Sequence, residues 1–369
     1  MSVFFRYNLA LALLISASFC SCQSEKFTGN FKELLAPAPQ NGGFQDPDYW
    51  IWGASVIKGD DGKYHMFASR WSKEVSFNNW VTNSEVVHAV ADTPEGPYKA
   101  LDVALPPRGK EYWDGMCTHN PRIVKYKDQY LLYYFGTTYD FEQPNAEQPE
   151  VSKSEWRQAW MNKRIGMASS KSINGPWKRL DKPVIEPREG HWDASITSNP
   201  SPVVNDQTGE ILLMYKSSTV GLTPPLLLGV AKADRPEGPY ERLSEEPVFR
   251  FETAENNLID VEDPYIWWNG KQYEAIMKDR SGEICGVEGG GLHAYSSNGV
   301  DWEFFENFRA YTRDVVWEDG SMSHQNHFER PFLLFEDGKP THLFAATGTG
   351  PEAWNFDKTW NMVIPLKSL

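Results

Sequence analysis

The sequence predicts an all-β fold, a five-bladed β-propeller of four-stranded antiparallel blades. Three observations predict it. A Pro-led hairpin pattern recurs along the chain, a second strand–turn–aromatic element follows most copies, and the copies are nearly evenly spaced. The hairpins are HNPRIVKYKDQYLLYYFG from His119, SNPSPVVNDQTGEILLMYKS from Ser198, EDPYIWWNGKQYEAIMKD from Glu262 and ERPFLLFEDGKPTHLFAAT from Glu329. Each is an apolar strand, a polar turn rich in Asp, Asn or Gly, and a second apolar strand. A copy without the proline, WGASVIKGDDGKYHMFASR, begins at Trp52. The second elements are VVHAVADTPEGPY, RIGMASSKSINGPW, LLGVAKADRPEGPY and GLHAYSSNGVDW.

Anchoring the units at Ala54, Asn120, Asn199, Asp263 and Arg330 gives spacings of 66, 79, 64 and 67 residues. Radial repetition of this kind also protects strand edges, which a β-sandwich or a two-domain arrangement would leave to be covered otherwise. The fifth unit lacks its own GPY element, but WNMVIPLK supplies one strand, and FKELLAPAPQ near the N-terminus can close the ring against it. The long unit carries an insertion, TTYDFEQPNAEQPEVSKSEWRQAWMNKR, in which residues 154–162 are expected to form a short helix.

Residues 1–22 read as a secretory signal: Arg6, an apolar run from Leu9 to Ile15, then small residues. The segment ends in Cys20-Ser21-Cys22, and a cysteine at such a boundary resembles the acceptor of a bacterial lipoprotein, with Cys22 the expected lipid anchor. The expected organisation is therefore a signal peptide over 1–22, a closing segment over 23–43 and the propeller over 44–369. The protein is expected to be exported, as a cell-surface or periplasmic lipoprotein. No other stretch approaches the roughly 18 apolar residues of a transmembrane span. Cys117 and Cys285 remain in the body of the chain, as one bridge or as two buried thiols.

A formal charge of −14 argues against a nucleic-acid partner, because phosphate contacts require a surplus of Lys and Arg. There is no P-loop, and the glycines at 289–291 precede a strand rather than a helix. Without CxxC or HExxH, zinc has no motif support, and no cofactor is required. The His and Asp content permits a structural ion on the propeller axis. Aromatic residues reach 14% of the chain, which a large β core accounts for, and some of the flat rings also suit the C–H faces of sugars in a ligand cleft.

A propeller gathers equivalent positions of distant blades around one cavity. Six residues before the anchors stand Asp48, Asp114, Asp193, Asn257 and His324, and His119 and His327 lie close by in sequence. Glu262-Asp263 and Glu329-Arg330 precede two of the prolines. Opposed carboxylates across a sugar-sized cleft are the equipment of glycoside hydrolysis. Each Asp taken singly also serves well as a turn cap. Arg70, Lys216 and Lys278, near the ends of second strands, suit recognition of an anionic sugar, a uronate or a sulfate ester.

The blade pattern, with EDP in one blade and ERP in the next, resembles the five-bladed propeller glycoside hydrolases of families 43 and 117 over about residues 44–366. That resemblance implies exo-acting hydrolysis of a terminal sugar, usually with inversion. Residue by residue it implies Asp263 as the carboxylate that tunes pKa and orientation, Glu329 as general acid and Asp114 as general base. In family 117 a His shares the acid's role, which His324 or His327 would fill here. Asp48, Asp193, Glu262, His119 and His324 are then expected to shape the substrate pocket. The expected partner is an oligosaccharide. Two rivals remain at this stage. A glycoside phosphorylase would need two or more basic groups beside the acid, and a non-catalytic glycan-binding propeller would keep the rings without an opposed carboxylate pair.

Overall fold

The computed structural model describes residues 30–220, 225–352 and 354–367. The expected signal peptide, with Cys20 and Cys22, lies outside the described residues. Four four-stranded antiparallel sheets, over residues 49–105, 117–179, 198–242 and 261–309, form blades I to IV. Blade V has three strands, Glu329–Glu336, Lys339–Thr349 and Lys358–Pro365. The first strands of successive blades touch in a closed circle, blade V returning to blade I, which is the propeller. A small hairpin, Asp314–Val316 with Met322–His324, sits between blades IV and V.

The missing outer strand of blade V is supplied in pieces by the N-terminal segment. Leu35 bridges Leu366 and Phe44 bridges Asn361, both antiparallel, along the open edge of the last strand. The edge backbone groups that would face solvent are thereby partly satisfied, and the two ends of the chain hold the ring shut.

There is no single core. Apolar clusters fill the gap between each pair of neighbouring blades, and strand periodicity explains how one strand serves two of them. In the second strand of blade II, Leu131 and Tyr133 face blade III, while Leu132 and Tyr134 face blade I. Ile211, Leu213 and Tyr215 in blade III face blade II, and Leu212 and Met214 face blade IV. Successive side chains point to opposite faces and both faces are buried, so these strands read as continuous apolar runs.

The insertion forms a helix over Lys153–Met161, close to the 154–162 read from sequence. Ser152 caps it: its side chain accepts from Glu155 N while the Glu155 carboxylate accepts from Ser152 N. Cys117 and Cys285 are buried free thiols, not a bridge.

Candidate active site

The five first strands share one backbone device. Asn120, Asn199, Asp263 and Arg330 have left-handed φ of 53°, 50°, 56° and 54°, and Gly53 has 42°. At each the ladder register breaks. These bulges re-aim the neighbouring side chain. The blade I anchor is therefore Gly53, one residue before the Ala54 inferred from sequence. A Cβ at Gly53 would stand 2.6 Å from Asn120 Oδ1 and 3.3 Å from Arg330 Cγ, so only glycine fits.

The left-handed residues close on each other around the axis. Asn120 Nδ2 donates to Asn199 Oδ1 (3.0 Å), and Asn199 Nδ2 donates to Asp263 Oδ1 (2.6 Å). Asp263 Oδ2 accepts from Arg330 N (2.9 Å). Local hydrogen bonding makes αL tolerable for Asn and Asp, and the ring holds all four in place. Beneath it, Arg122 reaches inward from blade II. Its guanidinium donates to Ala54 O (2.7 Å) and Pro331 O (2.9 Å), with Phe332 and Tyr265 rings 5.4 and 5.8 Å away. A cation carried by the chain itself thus stands near the axis. Among the described residues, no group of three or more His, Cys, Asp or Glu is arranged to hold a metal ion.

The residue before each left-handed position is what the bulge delivers. Four of the five, Trp52, His119, Glu262 and Glu329, line a cavity of about 270 Å³ whose floor is the Asn120–Asn199–Asp263–Arg330 ring. Its wall is aromatic: Trp71, Phe77 and Trp80 from blade I and the chain after it, Trp156 and Trp160 from the insertion helix, and Trp354 from blade V. A smaller hollow of about 150 Å³ shares Glu329, Arg280 and Trp354 with it and adds Lys278, Arg313 and His327.

Two buried carboxylates stand at the junction of the hollows. Lys278 Nζ is 3.3 Å from Glu262 Oε1 and 2.5 Å from Glu329 Oε1, which bounds the separation of those oxygens at about 5.8 Å. Lys216 Nζ holds the other oxygen of Glu262 at 2.8 Å, and His327 Nδ1 lies 3.2 Å from Glu329 Oε1. Burial pushes the Glu262 carboxyl up, but Lys216 and Lys278 overcome it and hold it below its ordinary range. Burial likewise raises Glu329, and Lys278 with His327 reverses this, pulling it from 4.5 to about 2. Asp263 is raised, first by burial and then by Glu262. His119, whose Nδ1 faces Ser84 Oγ at 2.7 Å, is driven well down by burial and then by Arg330 and Lys163.

The sign of the pH dependence follows. Carboxyls depressed in the fold contribute stability above their unfolded pKa and lose it as pH falls through the folded one. Stability from Glu329 should therefore be full above about 4.5 and vanish as pH falls toward 2. Glu262 acts in the same sense and Asp263 in the opposite one. Urea midpoints between pH 6 and 2 should fall for the wild type, and Lys278→Met should flatten that slope. An unchanged slope would show that Lys278 does not set these pKa values.

Several sequence-predicted residues lie elsewhere. Asp114 is fully buried outside the cavity, with Arg108 at 2.6 Å, Arg179 at 3.6 Å and the Tyr134 hydroxyl donating at 2.5 Å. Asp193 repeats the device with Arg188 (2.9 Å), Arg242 (2.6 Å) and the Tyr215 hydroxyl (2.9 Å). In each case the preceding Trp stacks on that Tyr, Trp113 on Tyr134 and Trp192 on Tyr215. These aspartates tie loops to blades and do not line the cavity, unlike the base and the pocket residue read from sequence. Asp48 is exposed, and with Gly53 as anchor it is not the blade I equivalent of Asp114. His324 is exposed and paired with Asp314 at 2.7 Å. Arg70 pairs with Glu85 at 2.9 Å over the Tyr49 ring and does not line the cavity. Lys216, Lys278, Glu262, Asp263, Glu329 and His119 are brought together.

Sequence reasoning missed Lys163, the ring of left-handed residues and the central Arg122. The recurring Asn-Pro, Asp-Pro and Arg-Pro steps were the available signal for the ring.

No family profile matches the chain, and no curated protein matches it. Solved structures share its fold. One described as a glycoside hydrolase superposes with a TM-score of 0.64 at 15% identity, over 92% of this chain and 94% of that one. Zg3597, a family 117 glycoside hydrolase of the marine bacterium Zobellia galactanivorans, gives 0.60 at 17% identity, over 90% and 88%. A thermostable family-43 glycoside hydrolase gives 0.57 at 12%, over 88% and 93%. At these identities the likeness is one of fold, the five-bladed propeller.

Proposed function

We propose that the protein is an exported glycoside hydrolase that removes a terminal sugar from oligosaccharides. The observation that carries this reading is the pair Glu262 and Glu329, buried and facing one aromatic-walled cavity on a propeller shared with glycoside hydrolases. A cavity of about 270 Å³ suits a terminal sugar residue rather than a threaded chain, which supports exo action.

The roles follow from the charges. Glu262, flanked by two ammonium groups, is the carboxylate that stays ionised. Glu329 and His327 form the proton-handling pair. Glu329 is itself held low by Lys278 and His327, and the His327 ring lies 3.2 Å from it, so in this scheme the two together pass the proton to the leaving oxygen. Asp263 fixes the strand bulge that presents Glu262. The Oε1 atoms of the two glutamates, both held by Lys278, are at most about 5.8 Å apart, below the roughly 6.5–9.5 Å that leaves room for a water between acid and base. That bound supports retention over the inversion that the resemblance implied. In this scheme Glu262 attacks the anomeric carbon as the pair protonates the departing oxygen. Water then cleaves the glycosyl ester, giving its proton back to the pair.

Lys278, Arg280 and Arg313 beside Glu329 are the basic cluster a phosphorylase would need. Lys278 is already matched by the two glutamates and Arg280 by Asp260 at 2.7 Å, while Arg313 donates to Asn326 O at 2.9 Å, so no two of the three stand ready for phosphate. Incubation with neutral, uronate-bearing and sulfated oligosaccharides, with and without phosphate, tests the reading. Phosphate-independent release of monosaccharide alone is expected, with the anomer first seen by NMR retaining its configuration. Sugar phosphate would establish phosphorolysis, longer fragments would refute exo action, and an inverted anomer would refute the Glu262 nucleophile.

A further inference from the structure

The insertion that lengthens blade II does more than wall the cavity. Two residues past its helix stands Lys163, which is only 1% exposed. Its ammonium lies 4.0 Å from the Trp160 ring centroid, 5.3 Å from Trp80 and 5.5 Å from Phe135. Lys163 lines the cavity. Every other lysine or arginine of that lining has a carboxylate partner: Lys216 has Glu262, Arg280 has Asp260 and Arg330 has Asp263. Among the described residues, no carboxylate lies within 4 Å of Lys163.

Burying an ammonium without a counter-charge is costly unless something else compensates. Ring faces return only part of that cost. A methionine would fill the same space at no electrostatic cost. Burial, and then the neighbouring Lys216, depress the amine, while Glu262, Cys117 and Asp263 act on it more weakly in the other direction. An anion entering the cavity would supply the missing charge, and the tryptophans beside it are shaped to stack on a sugar ring.

We propose that Lys163 recognises an anionic substituent, a carboxylate or a sulfate ester, on the sugar bound in this cavity. As a statement about substrate class this rests on the glycosidase reading, but the binding it predicts can be measured without turnover. Binding is read by tryptophan fluorescence, since Trp80 and Trp160 border the amine. The probes are glucuronate, galacturonate, glucose 6-sulfate and galactose 6-sulfate, each against its parent hexose. At least one acidic sugar should bind the wild type tenfold or more tightly than its parent, and the arm that does so tells carboxylate from sulfate. Lys163→Met should lose that preference while keeping hexose affinity within twofold, and Lys163→Arg should keep part of it. Equal affinities for acidic and neutral sugars in the wild type, no binding across the panel, or a preference intact in Lys163→Met would each overturn the proposal. Should Lys163→Met fail to fold, Lys163→Gln is read in the same way: loss of the preference supports the proposal and an intact preference overturns it. Acidic-sugar binding without any hydrolysis would sink the glycosidase reading and leave the role of Lys163 standing.

Discussion

Glu329→Gln is expected to lower kcat/KM on the best substrate by roughly a thousandfold, within the 10²–10⁴ span of proton-transfer catalysis. The substitution keeps volume and hydrogen bonding, so the loss reflects charge. Glu329 Oε1 faces both Lys278 and His327, and a neutral amide can no longer take up or release the proton exchanged with the leaving oxygen. Glu262→Gln should cost at least as much, because it removes the attacking carboxylate itself. The two variants should differ in a second respect. Azide should partly restore turnover of an activated aryl glycoside to Glu262→Ala, where a space opens at the anomeric carbon. On the same substrate azide should also speed Glu329→Gln, because it cleaves the glycosyl ester without base assistance, but there the glycosyl azide keeps the substrate's configuration, whereas from Glu262→Ala it is inverted. Full activity in Glu329→Gln would remove this residue from the mechanism.

Asp114→Ala is expected to destabilise the fold by about 3–5 kcal/mol, the cost of breaking a buried ion pair by deleting one partner. Arg108 and Arg179 would face each other across the space without a counter-charge, and the Tyr134 hydroxyl would lose its acceptor. Asp193→Ala should behave alike, through Arg188, Arg242 and Tyr215. Urea denaturation measures the loss, and activity per folded molecule should stay within about tenfold of wild type. A stable but inactive Asp114→Ala would restore it to the catalytic role that the resemblance implied.

The misassignment of these aspartates shows where the sequence was legible. Propeller repetition is written in Pro-led hairpins and doubly buried strands such as residues 130–136, so the blades could be read directly. The repeat also pointed to the first strands, four of which deliver a residue to the cavity. Which offset from the anchor faces the cavity is set by the left-handed bulge, a backbone property that a residue pattern expresses only indirectly. Six residues upstream, Trp113-Asp114 and Trp192-Asp193 recur because a structural tie recurs. One residue upstream, Trp52, His119, Ser198, Glu262 and Glu329 differ from blade to blade, and four of them line the cavity. The absence of proline in blade I shifted its anchor from Gly53 to Ala54, and Asp48 was misplaced with it. Lys163 stayed hidden because it lies in an insertion that no other blade shares.

The most direct test of the account is monosaccharide release measured side by side for the wild type, Glu262→Gln, Glu329→Gln and Asp114→Asn, each shown to be folded. The account predicts release by the wild type and by Asp114→Asn, and at most a thousandth of it by either glutamate variant. Release by the glutamate variants with a silent Asp114→Asn would contradict it. So would glycan binding without release by any of the four, which would make the protein a glycan-binding propeller.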